Sequence, residues 1–435
     1  MIPFVHLAAS LVTSLPINDG SIDTADAAAS RQDETSVDER LRLLEERNTE
    51  LERRLGLLSE ELEQTALGDA YTPVGEGFRG LSPAASKIYA ASSPLSIGGY
   101  GEGVYENYQG GGTDRADLLR TVLYVGYRFN DKWLLNTEFE LEHSSTAGNA
   151  NGDNGSFSAE FAHLEYLATD EFSFRMGLLL VPIGFVNELH EPTLFPSADR
   201  PFLEQSIIPS TFRENGFGIA GENEDIAYRA YVMNGLDAQG FSATGLRGGR
   251  QRGAEALAED LVITGRLDYV GFDDWTIGAS LYHGNTGQGS DAGSIQTTLG
   301  DVHVEYQRDG WRGRFLGVMA ELDDVAALNN ELGLVGADSI GEELSGYYLE
   351  GQYDLFNESP DSGELLPFVR FEKFNTQERV PDTFSSDPAN DREIWTFGMA
   401  YKPHPNLVFK ADYSDLDNEA GTGLDIFRLS IGYVF

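Results

Sequence analysis

From residue 96 to residue 435 the chain repeats one pattern, a segment of roughly 9 to 13 residues with alternating apolar and polar side chains, closed by a turn signal. Sixteen such segments can be placed, from 96–108 to 424–435. Alternation with period two sends successive side chains to opposite faces of a strand. In 132–144, Leu135, Thr137, Phe139 and Leu141 share one face, while Asn136, Glu138, Glu140 and Glu142 share the other. In 390–402, Trp395, Phe397, Met399 and Tyr401 alternate with Ile394, Thr396, Gly398 and Ala400. A soluble sandwich or barrel buries its apolar face and wets the polar one. A closed barrel in lipid inverts this arrangement, so that a whole face of carboxylates can point inward.

The connections alternate as well. Asn130-Asp131, Thr169-Asp170, Asn223-Glu224, Phe272-Asp273, Asp309-Gly310 and Pro403-His404 mark short turns. Long polar loops lie near 145–155, 182–213, 235–257, 284–296, 322–341, 375–389 and 416–423. Short turns on one rim and long loops on the other, with an even strand number, predict an all-β fold: a 16-stranded antiparallel transmembrane β-barrel over 96–435, of the outer-membrane type. One connection, 355–363, is longer than its rim should carry. The chain ends on an apolar face of Phe427, Leu429, Ile431, Tyr433 and Phe435.

A net charge of −41 without clustered Lys and Arg argues against nucleic acid as a partner. The absence of Cys excludes a disulfide scaffold and thiolate metal sites. No apolar run reaches the 18 residues of a membrane helix. No HExxH, GxSxG or phosphate-binding loop is present, so no enzyme, cofactor or metal is expected. His190, beside Glu188 and Glu191, is the one arrangement a metal could use, and it lacks ligand spacing.

The N-terminal part differs in kind. Residues 1–30 read as a signal peptide and tail, with an apolar core over 4–15 and a small-x-small site at Ala25-Asp26-Ala27. Over 31–64 a strict heptad places Leu41, Asn48, Leu55 and Leu62 at one seam position and Leu44, Leu51 and Leu58 at the other. Arg40 and Arg47 would face Glu45 and Glu52 of a parallel neighbour, which predicts a parallel α-helical coiled coil and a homo-oligomer. Residues 65–95, rich in Gly, Ala, Ser and Pro, read as a linker.

The stretch 182–213 is too long for an idle connection in a compact fold. Its prolines, Pro182, Pro192, Pro196, Pro201 and Pro209, limit the entropy lost on holding one shape. Its charges are Glu188, Glu191, Asp199 and Glu204 against Arg200 and Arg213, with His190 between. If this loop lies in the lumen, its acid excess should make the pore mildly cation-preferring. The wall itself is mixed, with Arg120, Arg128, Arg175, Glu138, Glu140 and Glu142 all on the inward parity and Arg120 opposite Glu142.

NELHEP, IIPSTF, SIGGYGEGVY (96–105) and EFELEH (138–143) resemble Gram-negative outer-membrane porins related to the phosphate-selective porin O and P family. The coiled coil adds a resemblance to trimeric DcaP-like porins. The resemblance implies a trimer in outer-membrane lipid and lipopolysaccharide, with the coiled coil in the periplasm. It also implies insertion by the barrel assembly machinery with the terminal Phe435 as its signal, and a third loop that constricts a water-filled pore for small solutes or ions. A phosphate- or anion-selective pore is the alternative, and a structural tether or an outer-membrane enzyme are more distant ones.

Overall fold

The computed structural model describes residues 42–44, 46–51, 53–54, 72–149, 152–359 and 362–435. The expected leader, the linker start and the seam residues Leu41, Leu55, Leu58 and Leu62 lie outside them. The chain divides into two compact units, 1–68 and 69–435. In the first, the described residues are helical, with ion pairs of Arg42 to Glu46 at 3.5 Å and of Arg54 to Glu50 at 2.9 Å. Leu44 and Leu51, one heptad apart, are 63% and 51% exposed, and Asn48 lies between them on the same helical run.

The second unit is a closed barrel of sixteen strands, each hydrogen-bonded to its sequence neighbours and β1 to β16. Its strands are β1 (Leu95–Tyr108), β2 (Arg115–Arg128), β3 (Trp133–Glu142), β4 (Phe157–Thr169), β5 (Phe172–Leu180), β6 (Arg213–Glu222), β7 (Ile226–Asn234) and β8 (Leu261–Phe272). There follow β9 (Trp275–Asn285), β10 (Gln296–Arg308), β11 (Trp311–Leu322), β12 (Glu343–Tyr353), β13 (Glu364–Arg379), β14 (Asp391–His404), β15 (Leu407–Asn418) and β16 (Ile426–Val434). All pairings are antiparallel, and strand count and order agree with the sequence pattern. The differences are at ends: β13 runs on to Arg379, and β14 continues through Pro403 to His404. The first extension carries polar side chains such as Asn375, Gln377 and Glu378, and the second is the Pro-His pair whose sequence reads as a turn.

Alternation fixes the faces. In β8, Val262, Thr264, Arg266 and Asp268 are buried inside while Leu261, Ile263, Leu267 and Tyr269 are exposed outside. At the short-turn rim three outward Trp–Tyr pairs sit cross-strand, Trp133 with Tyr166, Trp275 with Tyr306 and Trp311 with Tyr353, at centroid distances of 4.9, 4.7 and 4.7 Å. Such a belt suits a membrane interface, where a ring can be apolar at one end and wet at the other. The last residue closes the barrel: Phe435 donates its N–H to the Gly99 carbonyl at 2.8 Å and accepts from the Gly99 N–H at 2.9 Å. Gly99 must lack a Cβ, which would come within 2.7 Å of the Phe435 ring.

The expected linker is not a free tether over its described part. Residues 72–94, with a short helix α1 (Lys87–Ala90), pack against the inner wall: Leu81, Ala84, Ala85 and Ile88 are at most 5% exposed. Its small residues, the reason it reads as linker, let the chain lie close against the wall, as Ala84 does over Gly98. Two further helices lie in long connections, α2 (Phe202–Ser206) and α3 (Val325–Glu331).

Candidate functional site

The connection between β5 and β6, residues 181–212, folds into the barrel rather than over its rim. Val181, Ile183, Phe185, Val186, Phe195, Leu203, Ile207, Ile208 and Phe212 are at most 5% exposed. They join one apolar cluster with wall residues of β7 to β14, among them Met233, Tyr282, Leu316, Tyr348 and Phe374. A lumen expected to be water-filled is therefore packed with hydrocarbon along this side. Parity tells which side chains turn inward, but not that they meet another piece of chain there.

The opposite side of the loop is held by polar contacts. Glu188 accepts from Arg229 at 2.8 Å, and its carbonyl accepts from Ser82 at 3.1 Å. Glu191, fully buried, accepts from the Ala84 N–H at 2.9 Å, and its carboxyl is pushed up to about 8, burial outweighing that bond. Glu204 accepts from the Tyr348 hydroxyl at 2.8 Å and the Val186 N–H at 2.9 Å; burial raises it to about 7. Three of the four loop acids, Glu188, Glu191 and Glu204, are thus buried fasteners. Asp199 alone stays partly open, at 34%, and lies 3.7 Å from Arg428.

Arg213, the first residue of β6, reaches Glu160 at 3.3 Å and Ser158 at 3.0 Å. Arg200 is 6% exposed, with no hydrogen-bond partner at Nε or Nη2 among the described residues. It belongs to a basic group with Arg247 and Arg250 from the next long connection. Burial, Arg200 and Arg252 lower the Arg247 pKa, and burial, Arg247, Arg252 and Arg213 lower that of Arg250. These arginines crowd one another, and sequence reading passed over the second pair because it lies in a loop with no parity.

The wall residues split likewise. Arg120 is in register with Glu142, as the turn length predicts, but its guanidinium turns to Glu102 at 3.4 Å and Glu140 at 3.9 Å. Glu142 accepts instead from Ser156 at 3.2 Å. Arg175 pairs with Glu165 at 3.2 Å and donates to the Arg79 carbonyl at 2.9 Å, and Arg128 donates to the Ile88 carbonyl at 2.9 Å. These wall cations anchor the 72–94 segment rather than face open water. Tyr89 of that segment also donates to Glu165.

Glu138 and His190 meet: Nε2 lies 3.2 Å from Glu138 and 3.1 Å from Glu160. Burial opposes a charged imidazole, but these carboxylates overrule it and push His190 up to about 10. Glu160 escaped sequence reading because a bulge re-aims it: β3 and β4 pair Glu138 with Phe161 and Phe139 with Ala159, leaving Glu160 between. Both Phe161 and Glu160 consequently turn inward, at 2% and 0% exposure.

A closed antiparallel barrel of sixteen strands is the fold of outer-membrane porins. Among solved structures, a Salmonella typhi OmpF complex with daunomycin matches over 78% of this chain and 97% of its own, with TM-score 0.53 and 12% identity. A loop L8 deletion mutant of OmpT, an outer membrane protein of Vibrio cholerae, matches over 78% and 99%, with TM-score 0.51 and 12% identity. At sequence level the chain is 37% identical over 383 residues, 86% of each protein, to an uncharacterized protein of Aquifex aeolicus (strain VF5). The chain belongs to the same family as that protein. No protein-family model matches the chain.

Proposed function

We propose that the chain is an outer-membrane porin, a passive diffusion channel for small hydrophilic solutes or ions, narrowed by the 181–212 loop. The observation that carries this reading is the in-folded β5–β6 connection inside a sixteen-stranded barrel. Because so much of the interior is filled, conductance should be small. The Arg200, Arg247 and Arg250 group, set against acids that are tied up as fasteners, favours anions over cations in whatever aqueous path remains. This agrees with the resemblance to phosphate-selective porins and reverses the cation preference expected from the loop's composition. The exposed Leu44 and Leu51 support a parallel coiled coil, in the periplasm, that gathers the barrels as a trimer.

Single-channel recording in a planar bilayer across a salt gradient tests this. The expected outcome is a small anion-selective current, with selectivity reduced in Arg247→Ala/Arg250→Ala and conductance raised when the loop is replaced by a short Gly-Ser link. A cation-selective reversal potential would sink the anion reading. A bilayer that stays silent even without the loop would favour a second reading, a structural tether, which the filled interior also fits.

A further inference from the structure

Among the described residues, three donors from separate elements converge inside the barrel: Glu138 on β3, Glu160 on β4 and His190 in the in-folded loop, with donor atoms all within 4.8 Å of one another. The tautomer is set by His190 Nδ1, which lies 2.9 Å from the Asn187 carbonyl. A carbonyl can only accept, so Nδ1 carries a hydrogen and Nε2 is the coordinating atom. Nε2 lies 3.2 Å from Glu138 Oε1 and 3.1 Å from Glu160 Oε2. Ligand atoms around one ion at about 2.0–2.2 Å from each have comparable mutual spacings.

Two further observations ask for a cation. Among the described residues, Glu138 Oε2 and Glu140 Oε1, on the same inward face of β3, are buried with no hydrogen-bond partner, and so is Glu160 Oε2, since the Nε2 that lies 3.1 Å from it is hydrogen-bonded to Glu138 Oε1. A proton on Nε2 would serve one carboxylate at a time and leave the other oxygens unmet. Charge also falls short. Glu102, Glu138, Glu140 and Glu160 are all at most 3% exposed, and the guanidinium groups they meet are those of Arg120 and Arg213. With the His190 imidazolium counted beside them, a surplus of one negative charge remains in a site from which water is excluded, where an unmet carboxylate is costly. Tyr100, fully buried, closes one side with its ring 6.0 Å from the imidazole.

We propose that His190, Glu138 and Glu160 bind one divalent first-row transition-metal ion, of the Zn²⁺ class, which fastens the in-folded loop to β3 and β4. One imidazole with two carboxylates suits Zn²⁺, Mn²⁺ or Fe²⁺ better than Ca²⁺ or Mg²⁺, which take oxygen ligands in larger number or with retained water. The donors stand far apart in sequence and one depends on a bulge, so no spacing motif announces the site. The proposal is independent of the channel reading, since its readout is bound metal and not current.

The full-length chain, purified in detergent and stripped with EDTA, is titrated with Zn²⁺ by calorimetry, then passed over a desalting column for elemental analysis. One retained ion per chain is expected, with His190→Ala and Glu160→Gln each weakening binding at least 10-fold and the exposed His283→Ala leaving it unchanged. Folding of each variant is checked by heat-modifiable migration. Co²⁺ loaded into the unmutated chain provides a measurement that needs no variant: a strong visible absorption from a low-coordinate site with nitrogen ligation is expected. Absent Zn²⁺ retention, equal retention by the unmutated chain and His190→Ala, or a weak octahedral Co²⁺ spectrum would each overturn the proposal.

Discussion

The in-folded loop is held in two ways. On one side Ile183, Leu203, Ile207, Ile208 and Phe212 press into an apolar wall of β7 to β14. On the other, backbone and side chains are gripped by charge: the Leu203 N–H donates to Glu372 at 2.9 Å, Lys410 to the Ser197 carbonyl at 2.8 Å, and Arg370 to Ser197 at 2.8 Å. The tip rests directly on β16, where a Cβ on Gly432 would come within 2.6 Å of Pro192. Apolar contact is non-directional and fixes how deep the loop sits. Buried polar contact is directional and costly when incomplete, so it fixes which conformation the loop keeps. A loop that narrows a passage needs both.

The largest effect that separates the two modes should come from the charged grip. Arg370, 1% exposed, pairs with Glu372 at 2.9 Å and Glu350 at 3.1 Å. Arg370→Met leaves two buried carboxylates without their cation, and a loss of about 3–5 kcal/mol in detergent urea unfolding is expected. Arg370→Met combined with Glu350→Leu and Glu372→Leu should recover much of it. Failure to recover would show that the Ser197 contact, not charge pairing, is what the loop depends on. On the apolar side, Leu203→Ala should cost about 2–5 kcal/mol through the cavity it opens. A smaller loss would mean that the loop collapses into the space, and that the apolar seat adapts where the charged one does not.

Glu204 sits where the two modes meet, a carboxyl on an apolar seat. Its ordinary value near 4.5 is raised by burial to about 7 in the fold. A group raised in the folded state contributes stability that is complete below pH 4.5 and is lost as pH climbs through 7. The loss should be on the order of 3 kcal/mol across that window. Stability measured from pH 4 to 8 should therefore slope downward in the native chain and less steeply in Glu204→Gln, where the remaining slope is that of groups such as Glu191. An unchanged slope in the variant would assign the pH dependence elsewhere.

How much of this was legible beforehand follows from what periodicity encodes. Strand number, order and inward parity were readable, and Arg229, Arg266, Asp268, Glu350, Arg370 and Lys410 all turn inward as alternation requires. Parity holds only while the ladder is regular, so the bulge at Glu160 hid one member of the His190 cluster. Hydropathy cannot tell a small-residue segment that packs from one that dangles, and 72–94 is a segment that packs. Charge counting treated Glu188, Glu191 and Glu204 as free, because partners such as Arg229, Ala84 and Tyr348 come from distant strands or from the N-terminal segment.

The smallest expected effect uses the same strand as the largest. Three residues on from Arg370, Lys373 faces outward from β13, 3.1 Å from Asp391 and 3.9 Å from Glu393, with its side chain 42% exposed. Each cation faces two carboxylates, with nearer contacts of 3.1 Å for Lys373 and 2.9 Å for Arg370, and the surroundings differ most. At an exposed site water screens the pair and holding two long side chains costs entropy, so Lys373→Met should cost less than about 1 kcal/mol. That remainder should fade with added salt, because the Debye length falls to about 3 Å at 1 M. The Arg370 effect should persist in the same salt, since ions do not enter its site. If Lys373→Met proved as damaging as Arg370→Met, the distinction between a buried grip and a solvated rim would collapse, and ion pairs would have to be counted alike on both faces of the wall.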